Sequence, residues 1–239
     1  MAKKDLTTNE EQTNKTEENV KTVNDKLGLF INKNKIVLIF VTVIAVVLVA
    51  VFSIVLNIKN SNTSKAIENI EAIEYTLFNN SKDATKEEID ALYTTTLNSI
   101  EQYCSKNGVA GARALLLKAD ICFRKADFTQ AKDCYLQAAS KVKGSYLQGV
   151  CYFNAAVSLE ELNDSKKALE YYDLAVKDKN FLDVSRANFA IGRIKESLGD
   201  YNGAKEAYEQ ITSSNNSQDA FANLAQSRIL TLQIEGKIN

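Results

Sequence analysis

An alanine followed four residues later by a tyrosine recurs at regular intervals along this chain of 239 residues. The three pairs are Ala131/Tyr135, Ala168/Tyr172 and Ala204/Tyr208, and successive pairs are 37 and 36 residues apart. A turn segment with a central aspartate precedes each pair, as Ala126-Asp127-Phe128, Asn163-Asp164-Ser165 and Gly199-Asp200-Tyr201. Self-similarity at this period is typical of stacked structural repeats, none of which can bury its apolar face alone.

Each turn segment separates two stretches with helical periodicity. Apolar residues recur at intervals of three and four, as in Leu115, Ala119 and Cys122, which places them on one face of a helix. The predicted first helices span residues 112–125, 146–162 and 184–198, and the predicted second helices span residues 129–141, 166–177 and 203–212. Each copy is therefore a helical hairpin, in which the alanine lets the two helices approach closely and the tyrosine fills the space toward the next hairpin.

These residues resemble the tetratricopeptide repeat, whose motif combines a small residue in the first helix with glycine, an aromatic residue, alanine, a second aromatic residue and a final alanine. The third copy matches best, with Gly192, Tyr201, Ala204 and Tyr208, and it departs at Ile211, where the family prefers alanine. The first copy matches at Leu115, Ala119, Phe128, Ala131, Tyr135 and Ala138, and the second at Tyr152, Ala156, Ala168, Tyr172 and Ala175. The family's terminal proline is missing from every copy. The resemblance covers roughly residues 109–234 and implies an all-α solenoid of hairpins that acts as an interaction scaffold.

Residues 36–56 form a long apolar stretch. It begins at Ile36, ends at Leu56 and carries no charge, and its hydroxyl groups belong to Thr42 and Ser53. A helix of this length, at about 1.5 Å per residue, spans roughly 30 Å, which is the thickness of the hydrocarbon core of a bilayer. A cleavable signal peptide is disfavoured, because a mostly polar segment precedes the stretch and no A-x-A-like site follows it. The sequence therefore predicts one transmembrane helix, residues 36–57, that contacts lipid.

Lysines flank this stretch unequally. Four lie within the 20 residues before it and two within the 20 residues after it, namely Lys21, Lys26, Lys33 and Lys35, then Lys59 and Lys65. Positive residues tend to stay on the cytoplasmic side. We therefore expect a cytoplasmic N-terminus and extracytoplasmic repeats, which in a bacterium with two membranes means an inner-membrane protein with periplasmic repeats.

Composition narrows the class of function. The chain has no proline and 9 glycines, which predicts an almost wholly helical protein. Its 29 basic and 30 acidic residues nearly cancel, and no basic stripe with interleaved aromatic residues suggests nucleic-acid binding. There is no histidine, the commonest general base and metal ligand, and no glycine-rich phosphate loop or nucleophile motif. We therefore expect no enzymatic activity, metal, cofactor or small-molecule substrate.

The segments on either side of the span have different characters. Residues 1–35 are rich in Asn, Thr, Glu and Lys and are predicted to be a disordered tail. Near its end, Val20, Val23, Leu27 and Phe30 have helical spacing, which suits either a helix on the membrane surface or a helical run-in to the span. After the span, residues 58–108 are predicted to form a degenerate first hairpin, and residues 109–239 hold the repeats and a capping helix.

Three sequence signals support this division. A helix over residues 64–78 would carry Ile67, Ile70, Ile73 and Leu77 on one face. A capping box at Thr85 and Glu88 begins a helix that reaches Lys106. The capping helix, residues 217–234, is predicted to carry Phe221, Leu224, Ala225, Ile229 and Leu232 on its apolar face.

The spacing of the four cysteines matches no metal motif. Cys122 falls on the core face of its helix, so buried thiols are the simplest expectation. Outside the cytoplasm three disulfide connectivities would be possible, and the sequence does not choose among them. The residues concerned are Cys104, Cys122, Cys134 and Cys151.

The resemblance also implies a binding surface, because ligands of tetratricopeptide repeats lie along the concave face formed by the first helices. Mapping this chain onto that face gives aromatic residues flanked by arginine, the usual anchors of peptide recognition, although the phenylalanines suit core packing equally well. A carboxylate clamp for chaperone tails is disfavoured, because Leu116, Phe153 and Phe189 stand where that clamp needs Lys and Asn. The candidate polypeptide-binding residues are Arg113, Leu116, Phe123, Arg124, Phe153, Val157, Arg186, Phe189 and Arg193.

One N-terminal span joined to a short, degenerate repeat array resembles in architecture the ancillary subunit of the bacterial SecYEG translocon. This resemblance implies a role in protein translocation, with translocon subunits or periplasmic chaperones as partners. The missing proline and the longer tail depart from that family. Two other roles stay open: a structural scaffold or assembly factor of a cell-envelope complex, and a sensor whose cytoplasmic tail recruits a partner.

Overall fold

The computed structural model describes the backbone of residues 4–212 and 220–239 and the side chains of residues 25–212 and 220–239. Within these ranges the regular structure is helical throughout, which confirms the all-α prediction. The helices are α1 (Lys4–Asn80), α2 (Lys86–Cys104), α3 (Gly108–Arg124), α4 (Phe128–Lys141), α5 (Tyr146–Glu161), α6 (Ser165–Lys177), α7 (Val184–Ser197), α8 (Tyr201–Thr212) and α9 (Ala220–Ile234). The chain divides into two units, Met1–Ser61 and Asn62–Asn239.

The described part of the first unit lies within α1 and contains the apolar stretch. Its most apolar window has a mean hydropathy of 3.2, and none of that window is buried against other parts of the protein. The hydroxyls of Thr42 and Ser53 donate to the carbonyls of Ile39 and Val49, at 2.8 Å each, so both are satisfied within the helix. This part of α1 is long and apolar enough to cross a membrane, a property that signal sequences share.

Helix α1 is longer than the sequence suggested. Residues 4–35, expected to be a disordered tail, are helical, and the helices predicted at 36–57 and 64–78 are parts of the same continuous helix. The chain has no proline, and its first glycine is Gly28, so nothing in this stretch forbids helical backbone. The polar segment 57–63 reads as a break in the hydrophobic pattern, but Asn and Ser only weaken a helix.

The predicted hairpins are confirmed as α3/α4, α5/α6 and α7/α8, with most helix ends within two residues of the expected ones. The exception is the start of α3 at Gly108, four residues before the predicted start. The backbone of the preceding turn packs directly on Gly111, where an added Cβ would lie 1.7 Å from the carbonyl oxygen of Lys106. Such contacts between a turn and a helix do not show in a hydrophobic pattern.

One turn geometry joins the helices of all three hairpins. The first residue of each turn segment has left-handed backbone, with φ of 58° at Ala126, 59° at Asn163 and 79° at Gly199. The N–H of the following aspartate donates at 2.9 Å to a carbonyl five residues earlier, which ends the first helix. The carboxylate of the same aspartate accepts an N–H of the second helix, at 3.0–3.2 Å, from Gln130, Lys167 and Gly203 respectively.

The alanine and tyrosine of each repeat pack as predicted. Ala131, Ala168 and Ala204 are fully buried, and the tyrosine four residues after each is at most 3% exposed. The close approach is tightest at Gly192, where an added Cβ would lie 2.3 Å from the ring of Tyr208. These small residues therefore set the distance between the helices of a hairpin.

The two ends of the array differ. At one end, Ile70 of α1 packs with Ala110 and Ala114 of α3, and α2 begins at the predicted capping box between Thr85 and Glu88. At the other end, α9 packs on α8 through residues that include Ala225, Ile229 and Leu232. Leu224, predicted on that apolar face, is instead 50% exposed, and residues 217–219 of the predicted helix lie outside the described residues.

Candidate binding pocket

A pocket of about 570 Å³ opens on the face formed by the first helices of the second and third hairpins. Helices α5 and α7 supply most of its walls, and α6, the α5–α6 turn and α9 supply the rest. Its size lies in the range of sites that take a few amino-acid side chains. The lining residues are Phe153, Val157, Glu160, Glu161, Asn163, Tyr172, Arg186, Phe189, Ala190, Arg193 and Phe221.

The floor of the pocket is aromatic. Phe153 is only 5% exposed and stacks on the ring of Phe181, with 5.9 Å between the centroids. Phe189 is half-buried, and its ring centroid lies 5.4 Å from that of Tyr208 and 5.7 Å from that of Phe221. Phe153 is therefore mainly core, whereas Phe189 and Phe221 combine packing with partial exposure in the pocket.

Glu160 sits at the centre of a hydrogen-bonded group on one wall. Its carboxylate accepts the Tyr172 hydroxyl at 2.5 Å and also accepts the guanidinium of Arg193. The pKa of Tyr172 is raised well above its ordinary value, mainly by burial and next by this hydrogen bond to Glu160. The phenol therefore stays protonated and donates. Arg193 therefore serves the contact between two neighbouring hairpins.

The same arrangement recurs one repeat later. Arg228 of α9 donates to Glu196 of α7, with contacts of 2.5 and 3.2 Å. Burial, with the nearby Glu196 carboxylate, raises the pKa of Tyr208 to about 12. A further arginine, Arg113, pairs with Glu71 of α1 at 2.5 Å. An arginine of one first helix thus repeatedly neutralises a carboxylate of the preceding one, which ties successive repeats together.

Two charged residues of the pocket stand outside this pattern. The guanidinium carbon of Arg186 lies 4.8 Å from the centroid of the Phe153 ring, and the side chain is exposed. No carboxylate of the described residues lies within ion-pair distance of Arg186. Glu161, at the last residue of α5, is likewise exposed and forms no ion pair with the described part of the chain.

The structure gathers five of the nine predicted binding residues into this pocket. They are Phe153, Val157, Arg186, Phe189 and Arg193. The other four lie elsewhere. Arg113 pairs with Glu71, and Leu116 of α3 is partly buried and packs against the core. Phe123 meets the ring of Phe128 edge-on at 5.1 Å, and Arg124 is exposed in the last turn of α3. None of the four predicted binding residues of the first repeat therefore lines this pocket.

Sequence reasoning missed Phe221, because it treated α9 only as a cap. Phe153 and Phe189 are one repeat period apart, and one further period leads to Ala225 of α9, about one helical turn after Phe221. Extending the repeat register into the capping helix therefore indicates this face of α9, but it does not identify Phe221 itself.

The described residues contain no group of three or more Cys, Asp or Glu side chains placed to hold a metal ion. All four cysteines are free thiols, and Cys122, Cys134 and Cys151 are buried. Burial raises the pKa of Cys134 to about 11 and that of Cys151 to about 12, so both stay protonated at neutral pH. These thiols behave as small apolar groups of the core.

Comparison with known proteins agrees with this architecture. Three segments match the family model of the tetratricopeptide repeat, residues 112–140, 150–177 and 185–218. A "TPR repeat-containing protein" of Treponema pallidum (strain Nichols) is 34% identical over 131 residues, which are 55% of this chain and 54% of the relative. The chain thus matches about half the length of that relative.

A solved structure shares the fold. The crystal structure of BtubC (BKLC) from P. vanneervenii superposes with a TM-score of 0.53 and 16% identity, covering 74% of this chain and 84% of that one. Together the comparisons identify tetratricopeptide repeats in this protein. Such repeats are protein-interaction scaffolds, which indicates protein partners.

Proposed function

We propose that this protein is a non-enzymatic, membrane-anchored scaffold that binds a segment of polypeptide in the pocket between α5, α7 and α9. In this proposal residues 36–56 cross the bacterial inner membrane, the N-terminus is cytoplasmic and the repeats face the periplasm. The protein would then assist translocation or pass emerging chains to chaperones.

The pocket is the observation that carries the proposal. Its half-buried rings, Phe189 and Phe221, offer apolar surface beside an arginine that has no carboxylate partner among the described residues. Aromatic residues and arginine are the side chains that most often dominate binding energy at protein interfaces. Since repeats of this family are interaction scaffolds, a polypeptide is the ligand class that fits this combination best.

The anchor is supported by the surface of α1. Apart from Leu38, the large apolar side chains between Ile36 and Leu56 are 42–68% exposed, so no other part of the described protein covers them. The two hydroxyls in this stretch are satisfied by backbone carbonyls of the same helix. A bilayer is the environment in which such a surface is stable.

Photo-crosslinking in living cells tests the pocket. A photoreactive amino acid replaces Phe189, and the matched control places it at Phe123, which lies outside the pocket. We expect polypeptide adducts from position 189 only, among them translocon subunits, chaperones or secretory chains. Equal adducts from both positions, or none from 189, would contradict a polypeptide site in this pocket.

Labelling of introduced cysteines tests the topology. The native thiols are mostly buried, so a cysteine placed at Leu182, which is 90% exposed, reports on the repeats. A second variant places cysteine at Thr8 in the N-terminal segment. A membrane-impermeant maleimide added to spheroplasts should modify Leu182→Cys at once and Thr8→Cys only after lysis. The reverse pattern would invert the topology.

A second candidate role is a dedicated scaffold or assembly factor of an envelope complex. Helix α9 favours it, because Leu224 and Leu230 are 50% and 54% exposed on a helix expected to present a polar outer face. The crosslinking experiment separates the two roles. One folded envelope protein captured at every position would favour the dedicated scaffold, and many unfolded chains would favour the translocation role.

A further inference from the structure

We infer that the pocket selects polypeptide segments in which an internal Asp or Glu stands next to an aromatic or large aliphatic residue, with the acidic side chain held by Arg186. The inference rests on the proposed function, because it specifies what the same pocket binds. It follows from which arginines of the repeat array form ion pairs with carboxylates of the protein.

The arginines of α3, α7 and α9 differ in whether they form ion pairs within the protein. Arg113, Arg193 and Arg228 each pair with a carboxylate of the preceding repeat, so their charge is already neutralised. Arg186 lies on the same face of the array but forms no ion pair with the described residues. It is therefore the cation of this pocket that remains available to a ligand carboxylate.

The position of Arg186 prepares it for this role. Its guanidinium lies over the ring of Phe153, whose own position is held by Tyr172 and Phe181. Stacking on a fixed ring restricts the arginine and leaves the donors at its edge free, so less rotamer entropy is lost on binding. The neighbouring rings of Phe189 and Phe221 form the apolar part of the site.

An internal side chain suits this site better than a chain terminus. A terminal carboxylate is normally held by several donors, and here the other pocket arginine, Arg193, is occupied by Glu160. One guanidinium fork matches one carboxylate in a bidentate pair. The ligand is thus an extended segment that passes through the pocket.

Glu161 adds a second charge preference. The contact between Arg193 and Glu160 shows that the end of α5 lies level with residue 193 of α7. Arg186 is two helical turns earlier on α7, which is about 10 Å along the axis. An extended chain covers that distance in about three residues. A basic residue about three positions from the acidic one would therefore lie beside Glu161.

Peptide binding to the full-length chain in detergent micelles tests this inference. The probe is a fluorescent peptide of about eight residues with blocked ends, carrying one Asp, an adjacent Phe and a Lys three positions from the Asp. Both sequence directions are tested, because an extended segment can lie in either sense. Fluorescence anisotropy gives the dissociation constant for each peptide and for its Asp→Asn counterpart.

We expect the Asp→Asn change to weaken binding about tenfold, as typical of a lost charge-assisted hydrogen bond. Arg186→Gln should weaken the Asp peptide by the same factor and leave the Asn peptide unaffected. Arg186→Glu should restore binding when the peptide Asp is changed to Lys. Arg124→Gln, an exposed arginine outside the pocket, is the matched control and should change nothing.

The outcomes separate the inference from the function on which it rests. Peptides that bind with the same affinity whatever their charge, unaffected by Arg186→Glu, would overturn the inference and leave a polypeptide pocket intact. Absence of peptide binding together with absence of crosslinks at position 189 would overturn both. If Arg186→Gln lowers the melting temperature markedly, Arg186→Lys keeps the charge without the flat stacking group and should retain most of the Asp preference.

Discussion

Replacing Ala126 by glycine should stabilise the repeat array, although the change removes a methyl group. Ala126 joins α3 to α4 with φ at 58°, and its side chain is exposed, so no packing is lost. Left-handed backbone costs an alanine about 1–2 kcal/mol, because its Cβ crowds a neighbouring carbonyl oxygen. Glycine avoids this strain but makes the unfolded chain freer by about 0.4–1 kcal/mol. The balance predicts a net gain of about 0.5–1 kcal/mol.

Ala91→Gly is the matched control. Ala91 is also exposed, but it lies within α2, where glycine costs about 0.5–1 kcal/mol relative to alanine. The same substitution should therefore have opposite signs at the two positions. Asn163→Gly should lie between them, because asparagine tolerates left-handed backbone better than alanine does.

Urea unfolding of the full-length chain in mild detergent, followed by far-UV circular dichroism, measures these differences. At a urea m-value of about 1–3 kcal/mol per M, a change of 1 kcal/mol shifts the unfolding midpoint by about 0.3–1 M. Equal losses of stability in Ala126→Gly and Ala91→Gly would show that left-handed backbone at Ala126 carries no strain.

Three further predictions concern the packed core. Gly192→Ala should destabilise the array by about 1–3 kcal/mol in the same assay, because the new Cβ would lie 2.3 Å from the Tyr208 ring; unchanged stability would show that the hairpin can open. Cys134 and Cys151 should react with maleimide at pH 8 only after unfolding. In the unfolded chain all four thiols should react without added reductant. Fast labelling of Cys134 or Cys151 in the folded chain would contradict their burial. Burial raises the pKa of Cys134 to about 11 and of Cys151 to about 12, so the unfolded thiols ionise first as the pH rises above roughly 8.5. The stability that these protonated thiols contribute is therefore fully present below about pH 8.5 and is lost progressively between there and about pH 12. Cys134→Ala should make this loss of stability with rising pH less steep. An unaltered pH profile would argue against the raised pKa.

Helix α1 shows what a hydrophobic pattern predicts and what it leaves undetermined. The apolar stretch at 36–56 was visible directly, because composition and length alone define a candidate span. The continuous helix from Lys4 to Asn80 was not, since polar residues reduce helix propensity without forbidding the helix. Only glycine and proline give firm breaks, and this stretch contains one glycine and no proline.

The hairpins of the repeat array follow from short-range sequence patterns. In each copy the central aspartate of the turn lies only eight residues before the tyrosine of the alanine–tyrosine pair, so the effects of these residues are local. Asp127 shows why: its N–H closes one helix and its carboxylate opens the next.

Which of these side chains pair with one another depends instead on how the hairpins stack. Arg186 and Arg193 are the same residue type on the same helix, yet Arg193 pairs with Glu160 and Arg186 lies over Phe153 with no carboxylate partner among the described residues. The partners come from residues about 33 positions away, and their distances depend on how one hairpin stacks on the next. A repeat pattern specifies that hairpins stack but not the offset between them, and that offset sets whether a charge is neutralised or open to a ligand.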